Sequence, residues 1–167
     1  NMATIKQEDF FTIEKNANGV CTIWMDQKGE KVNTISPTLI QLFEEVYDSL
    51  DKDASIKAFV LTSKKKDFIA GADIDMFKKV EKKGDFEPVT RKGQAILNKI
   101  AASEKPIVAA IHGNCLGAGL EIALACHARI ASNDKSTKMA LPEVKLGLLP
   151  GGGGTQRLPR LIGLQAA

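Results

Sequence analysis

Residues 117–126 read Gly-Ala-Gly-Leu-Glu-Ile-Ala-Leu-Ala-Cys, and only Glu121 breaks an otherwise apolar run. A helix that is apolar all round cannot lie on a surface. It must be covered on every side, so the chain has to fold in layers around it. The fold must also accommodate Glu121, because a carboxylate is rarely buried without a partner or a task. Glu143 poses the same problem between Pro142 and Val144. Glycine-rich turns adjoin both residues, and glycine lets backbone N–H groups approach a ligand closely. The pair therefore reads as an acid/base couple with backbone donors beside it, the equipment for proton transfer next to a carbonyl.

Strand and helix patterns alternate around this segment. Residues 10–15 and 20–26 are rich in β-branched and aromatic types, and Asn16-Ala17-Asn18-Gly19 between them predicts a β-hairpin. Ser36-Pro37 supplies an N-cap and a first helical residue. Leu39, Leu42, Phe43, Val46 and Leu50 then recur on one face, up to residues 51–54. Residues 57–63 and 106–111 are buried strands. The charged stretch 64–67 is a solvated turn, Asp73 can cap a short helix, and 78–84 is a charged, mobile segment. Residues 88–103 form an amphipathic helix through Val89, Ala95, Ile96, Ile100 and Ala101. Short strands are expected at 128–131 and 138–140, then an irregular stretch 142–154. Thr155 is expected to cap a last helix containing Pro159. The alternation supports an α/β architecture, and no internal repeat is legible in the residue identities.

One domain is expected over 10–167, after a 1–9 extension in which Asn1 reads as a cloning remnant ahead of Met2. The chain stops in what reads as the first turn of a helix, so the domain is expected to be incomplete, with its last helices missing. A chain of 167 residues with 44% hydrophobic and 26% charged residues is an ordinary globular one. No apolar run is long enough for a membrane span. A net charge of +3 with one Trp and one Tyr is a poor footprint for nucleic-acid binding. Cys21, Cys115 and Cys126 lie in apolar surroundings without CxxC spacing, which predicts free core thiols in a reducing compartment. No apolar signal region or transit pattern opens the chain.

Other motifs fail on inspection. Gly117-Ala118-Gly119 follows a strand, but the third small position of a dinucleotide fingerprint falls on Ile122. Gly151–Gly154 precede Thr155-Gln156 rather than Lys-Ser/Thr, so they form no Walker A loop. His112 and His127 have no metal-ligand spacing and no metal site is expected. No serine sits in a nucleophile elbow.

Three phrases in order resemble the enoyl-CoA hydratase/isomerase (crotonase) family. They are Ile-Ala-Gly-Ala-Asp-Ile at 69–74, His-Gly-Asn-Cys-Leu-Gly-Ala-Gly-Leu-Glu at 112–121, and the run 142–157 from Pro-Glu-Val-Lys to Thr-Gln-Arg. Lys-Val-Asn-Thr at 31–34 and Leu-Pro-Glu at 141–143 look most like the branch of α subunits of multifunctional fatty-acid oxidation complexes. There an N-terminal hydratase domain is joined to a 3-hydroxyacyl-CoA dehydrogenase.

The resemblance implies a crotonase-like spiral of ββα repeats and hydration of trans-2-enoyl-CoA in fatty-acid β-oxidation. Alternatives that it leaves open are Δ3-Δ2-enoyl-CoA isomerisation and a non-catalytic scaffold or RNA-binding role. It implies an oxyanion hole from the backbone N–H groups of Ala70 and Ala118, the latter standing where family members often have glycine. Glu121 and Glu143 would be catalytic, Glu121 activating water and Glu143 giving a proton to C2, with Gly151 placing a backbone group near that water. Lys31, Ala70, Gly71, Ala72, Asp73, Ile74, Gly117 and Pro142 would bind substrate and CoA, with Lys78 a weaker candidate. No cofactor is implied in this domain, and NAD only in a dehydrogenase domain. The expected partners are an acyl-CoA thioester, copies of the chain in a trimer or larger assembly, and a thiolase β subunit, in a bacterial cytoplasm.

Overall fold

A computed structural model describes residues 6–79, 81–82 and 84–167. The expectations for residues 1–5, and for Val80 and Lys83 in the charged segment, lie outside the described residues. The hairpin forms as expected: β1 (Phe11–Lys15) pairs antiparallel with β2 (Val20–Met25). Asn16 Oδ1 accepts from the N–H groups of Asn18 and Val20 and holds the turn. From β2 the sheet continues in parallel through β3 (Ala58–Ser63), β4 (Ile107–Ile111) and β6 (Ala128–Ala131). The four helices are α1 (Pro37–Asp51), α2 (Glu87–Ala101), α3 (Ala118–Ala125) and α4 (Gly154–Ile162) among the described residues.

A second layer of extended backbone follows, of which the residue pattern had indicated only the strand at 138–140. β5 (Asn114–Leu116) pairs in parallel with β7 (Lys138–Ala140), Ile69 bridges to Cys115, and Ile35 bridges to Ala72. Each parallel strand of the large sheet is thus followed by a short extended segment in this layer, then by a helix. The chain goes through that β-β-α unit four times among the described residues. The repeat lies in the backbone and not in residue identities, which is why the sequence does not display it.

Local chemistry explains most boundaries. Ser36 caps α1 by accepting from the Leu39 N–H at 3.2 Å, and Pro37 occupies the first turn. Leu39, Val46 and Tyr47 are buried, with Leu42, Phe43 and Leu50 packed against them. On α2 the buried residues are Ile96, Leu97 and Ile100, whereas Ala95 and Ala101 are exposed, contrary to expectation. Thr155 is not the cap of α4. Gly153 holds that position at φ +99, a conformation only glycine adopts freely, and Thr155 falls inside the helix. α3 is buried along its length except at Ala118 and Ile122, which are partly covered. The three cysteines are free and buried, and burial pushes the thiols of Cys115 and Cys126 up to about 12, which leaves them inert near neutrality.

The polar hub of the core is Asn33, 0% exposed. Its Nδ2 donates to the Met25 carbonyl (3.2 Å), Ser63 Oγ (2.9 Å) and the Phe68 carbonyl (3.3 Å), and its Oδ1 accepts from the Gln27 N–H (3.0 Å). Its own carbonyl accepts from the Ala70 N–H at 2.9 Å. One side chain therefore ties β2, β3 and the 68–70 segment together. Leaving such buried groups unpaired costs about 1–3 kcal/mol each. Asn33→Ala should lower the unfolding free energy by roughly 3 kcal/mol in urea titration. Asn33→Asp should be at least as damaging despite its matching shape, because a carboxylate cannot donate to the three acceptors. An Asp variant of wild-type stability would contradict this account.

Candidate active site

A cavity of about 320 Å³ opens between α1, α2, α3 and the 142–152 segment. Apolar side chains such as Ile40, Phe43, Phe77, Val89, Ile96 and Leu148 form most of its wall. Ala70, Gly71, Ala72 and Ile74 reach the cavity from one exit of the second layer, Gly117, Ala118 and Glu121 from the next, and Pro142 and Glu143 from the last. The three sequence phrases are thus equivalent exits of successive repeats, and stacking brings them to one place.

Glu121 is 3% exposed and held by two amides, with Gly152 N–H and Gly154 N–H each donating to its Oε1 at 2.8 Å. These approaches need glycine: a Cβ on Gly152 would lie 2.7 Å from Glu121 Oε2, and one on Gly154 would lie 3.0 Å from Oε1. Burial pushes the Glu121 carboxyl above its ordinary range. The Gly154 and Gly152 amides pull against this, Glu143 adds to it, and Arg157 opposes it. Glu143 sits in a 3-10 turn, Glu143–Leu146, where a loop was expected. Its Oε1 lies over Gly117, 3.0 Å from where a Cβ would stand, and its Oε2 is buried without a hydrogen-bond partner among the described residues. A buried acceptor left open is costly, and here it borders a cavity.

The backbone donors differ. Ala118 is the first residue of α3, where an N–H has no intrahelical acceptor. The Ala70 N–H donates to the Asn33 carbonyl at 2.9 Å in this conformation. Gly151 lines the cavity, but its carbonyl accepts from Gln94 Nε2 at 2.7 Å. Lys31, Asp73 and Lys78 do not line the cavity. Lys31 is exposed, Asp73 Oδ1 accepts from the Asp75 N–H at 3.0 Å, and Lys78 pairs with Asp75 at 2.6 Å on the surface. His112 and His127 meet backbone groups: His112 Nε2 meets the Lys65 carbonyl, and the His127 ring meets the Ile107 N–H and the Ser103 carbonyl. Sequence reasoning missed Gln94 and Asn98 on α2 and the role of Arg157, whose Nη1 donates to the Gly152 carbonyl at 3.0 Å and Nη2 to Asn98 Oδ1 at 2.8 Å. The i, i+4 spacing of Gln94 and Asn98 beside an apolar face was the only available signal.

The sequence profile described as enoyl-CoA hydratase/isomerase matches residues 15–167. The fatty acid oxidation complex subunit alpha of Shewanella sp. (strain ANA-3) is 46% identical over 161 residues, which is 96% of this chain and 23% of that protein. The chain thus spans under a quarter of the length of that relative. Among solved structures, Pseudomonas aeruginosa DspI superposes with a TM-score of 0.86 at 32% identity, covering 99% of this chain and 62% of that one. An enoyl-CoA hydratase from Bacillus anthracis superposes at 0.82 with 28% identity, covering 93% and 59%.

The raised Glu121 carboxyl carries a stability signature. Its pKa is higher folded than unfolded, so both states hold the proton at low pH, and above the unfolded value only the unfolded state releases it readily. The residue's contribution to stability therefore falls as pH rises from the unfolded pKa, about 4.3, toward the folded one, and stays low above it. Glu121→Gln should remove that fall, so the stability of the variant relative to wild type should rise with pH across this window. Parallel pH profiles in urea unfolding would show that Glu121 is not desolvated as described.

Proposed function

The chain belongs to the enoyl-CoA hydratase/isomerase family, and from that premise we propose that it adds water to the double bond of a trans-2-enoyl-CoA in fatty-acid oxidation. The observation that carries the proposal is the buried, unpartnered Glu143 Oε2 beside the same cavity that Glu121 lines. In this reading the acyl chain occupies the apolar part of the cavity and the thioester carbonyl lies against the start of α3. The Ala118 N–H, at the positive end of that helix, donates to the carbonyl oxygen as enolate charge builds. The Ala70 N–H is the second donor, by sharing or exchanging its bond to Asn33.

The two carboxyls divide the protons. Glu121 accepts two amide hydrogen bonds, which favour its ionised form, while burial makes that carboxylate a stronger base than usual. It takes a proton from water as the water oxygen bonds to C3. Glu143, whose buried Oε2 has no hydrogen-bond partner among the described residues, passes a proton to C2. One water is consumed, C2 gains one hydrogen and C3 a hydroxyl. Proton exchange between the glutamates then restores the starting state. Nothing is oxidised or reduced, so the step calls for no redox cofactor. Two carboxyls also favour hydration over double-bond isomerisation, which needs only one base.

The relatives' name supports a place for this domain in a longer α subunit of a fatty acid oxidation complex, and in this reading a dehydrogenase follows in the same subunit and a thiolase is its partner. Exposed apolar side chains on β6, β7 and α4, including Ile130, Met139 and Leu161, form the surface an assembly would cover. No helix among the described residues is long and apolar enough to cross a membrane.

Glu143→Gln should lower kcat for crotonyl-CoA hydration by about 10³-fold, within the range for a lost general acid, and leave acyl-CoA binding within a few-fold. Loss of the enoyl thioester absorbance measures the rate, and calorimetric titration with a non-reacting acyl-CoA measures binding. Turnover near wild type would remove Glu143 from the mechanism.

A further inference from the structure

The glycine loop that holds Glu121 is itself held, and side chains do the holding. Its amides face inward, from Gly152 and Gly154 to Glu121 Oε1 at 2.8 Å each. Two of its carbonyls take side-chain donors. Gln94 Nε2 donates to the Gly151 carbonyl at 2.7 Å, and that carbonyl belongs to the same planar, trans peptide unit as the Gly152 N–H. A donor on the oxygen side of such a unit fixes where its N–H points and polarises it toward its own acceptor. Arg157 Nη1 holds the next carbonyl, Gly152, at 3.0 Å, while its Nη2 is anchored on Asn98 Oδ1 at 2.8 Å. Gln94 and Asn98 stand one turn apart on α2, and Val89, Gly93, Ile96 and Leu97 of the same helix line the cavity.

We propose that Arg157 and Gln94 are positioning residues for Glu121. They act through the Gly151–Gly152 and Gly152–Gly153 peptides to aim the loop at the carboxylate, and they tie that aim to the helix that walls the acyl cavity. A glycine loop without such braces would have many conformations open to it, and the two short bonds to Glu121 Oε1 require one of them. Arg157 has a second effect through its charge. The charged groups acting on Glu121 are Glu143, from the 3-10 turn, and Arg157, from α4. α2 presents uncharged Thr90, Gln94, Leu97 and Asn98 to the loop. Arg157 is thus the positive charge that favours the ionised base.

The inference rests on Glu121 acting as the base, and the test separates the two. In the full-length protein, Arg157→Met should lower kcat for enoyl-CoA hydration roughly ten- to a hundredfold, the loss expected for misplacement of a catalytic group by a fraction of an ångström to about 1 Å. KM should change little, and the acid limb of the pH profile should move to higher pH because the carboxylate has lost a positive neighbour. Arg157→Lys keeps the charge but not the two-pronged reach, so its acid limb should stay near wild type while kcat still falls. Gln94→Ala should lower kcat less, because water can replace an exposed donor. Variants that fold and keep both the kcat and the acid limb of wild type would overturn the proposal. If Arg157→Met does not fold, Gln94→Ala and Asn98→Ala carry the test, and unchanged kcat in both overturns it. If the wild type hydrates no enoyl-CoA, the functional reading fails on its own. The brace is then judged by infrared titration of the Glu121 carboxyl, identified by its loss in Glu121→Gln. An upward shift of the titration midpoint in Arg157→Met would support the proposal, and an unmoved midpoint would overturn it.

Discussion

Parallel pairing between short extended segments is the constraint on which the rest of this molecule depends. Ile35 pairs with the 71–73 backbone, Ile69 with Asn114 and Leu116, and Gly117 with the Ala140 carbonyl. Each pairing sets one β-β-α unit at a fixed height on the next. Because the steps are parallel, every unit leaves the layer in the same direction and at the same level. The exits at 70–74, 117–118 and 142–143 therefore converge, although 25 to 45 residues separate them in sequence. No single motif makes the site. A slip of one residue in any step would turn a side chain now facing the cavity into the layer behind it.

The second constraint is the solvation of Glu121. Taking a carboxylate out of water is strongly unfavourable, and α3 places this one fourth from its start, with apolar neighbours on both sides. The start of α3 offers a weak positive field, and the glycine loop offers two N–H groups. Burial still outweighs them, since the net shift is upward. The outcome is a carboxylate solvated well enough to exist and poorly enough to be basic. Glu143, which lines the same cavity, has no donor at its buried Oε2 among the described residues. Two chemically identical side chains thus meet different surroundings, set by where the backbone places its amides.

Contrast with neighbours decides what could be read from the sequence. Glu121 and Glu143 stood out because they are polar in apolar surroundings, and the hairpin, Ser36, β3 and α3 followed from turn chemistry, capping and hydrophobic pattern. β5 was invisible because three residues between glycines carry no periodicity. Thr155 was a sound cap by residue type, but the loop needed φ +99 two residues earlier, at Gly153, to turn an amide toward Glu121, and tertiary demand overrode local preference. Gln94, Asn98 and Arg157 sit among other polar residues on exposed or half-exposed faces, so nothing marked them. Their partners are backbone carbonyls, or each other, up to 59 residues away. Asn33 was hidden in the same way: a buried asparagine is legible only once its four partners are assembled.

The two amides proposed to hold the thioester oxygen are unequal, and in that mechanism the inequality would have a consequence for catalysis. Ala118 has no acceptor of its own in the helix, so it can donate to a neutral carbonyl and to an oxyanion alike, and part of its effect is ordinary binding. Ala70 already donates to the Asn33 carbonyl, whose position the buried Asn33 side chain fixes. A neutral carbonyl offers that N–H nothing better than it has. An oxyanion does, because hydrogen bonds to charged acceptors are roughly twice as strong as neutral ones. Donation from Ala70 would then grow as charge develops and relax when it disperses. An interaction made only in the transition state raises kcat without tightening the ground state, so an amide that looks unavailable in the resting molecule can be the more selective of the two. In the proposed mechanism the fixed position of Asn33 would make this exchange reversible, since it keeps the original acceptor in place.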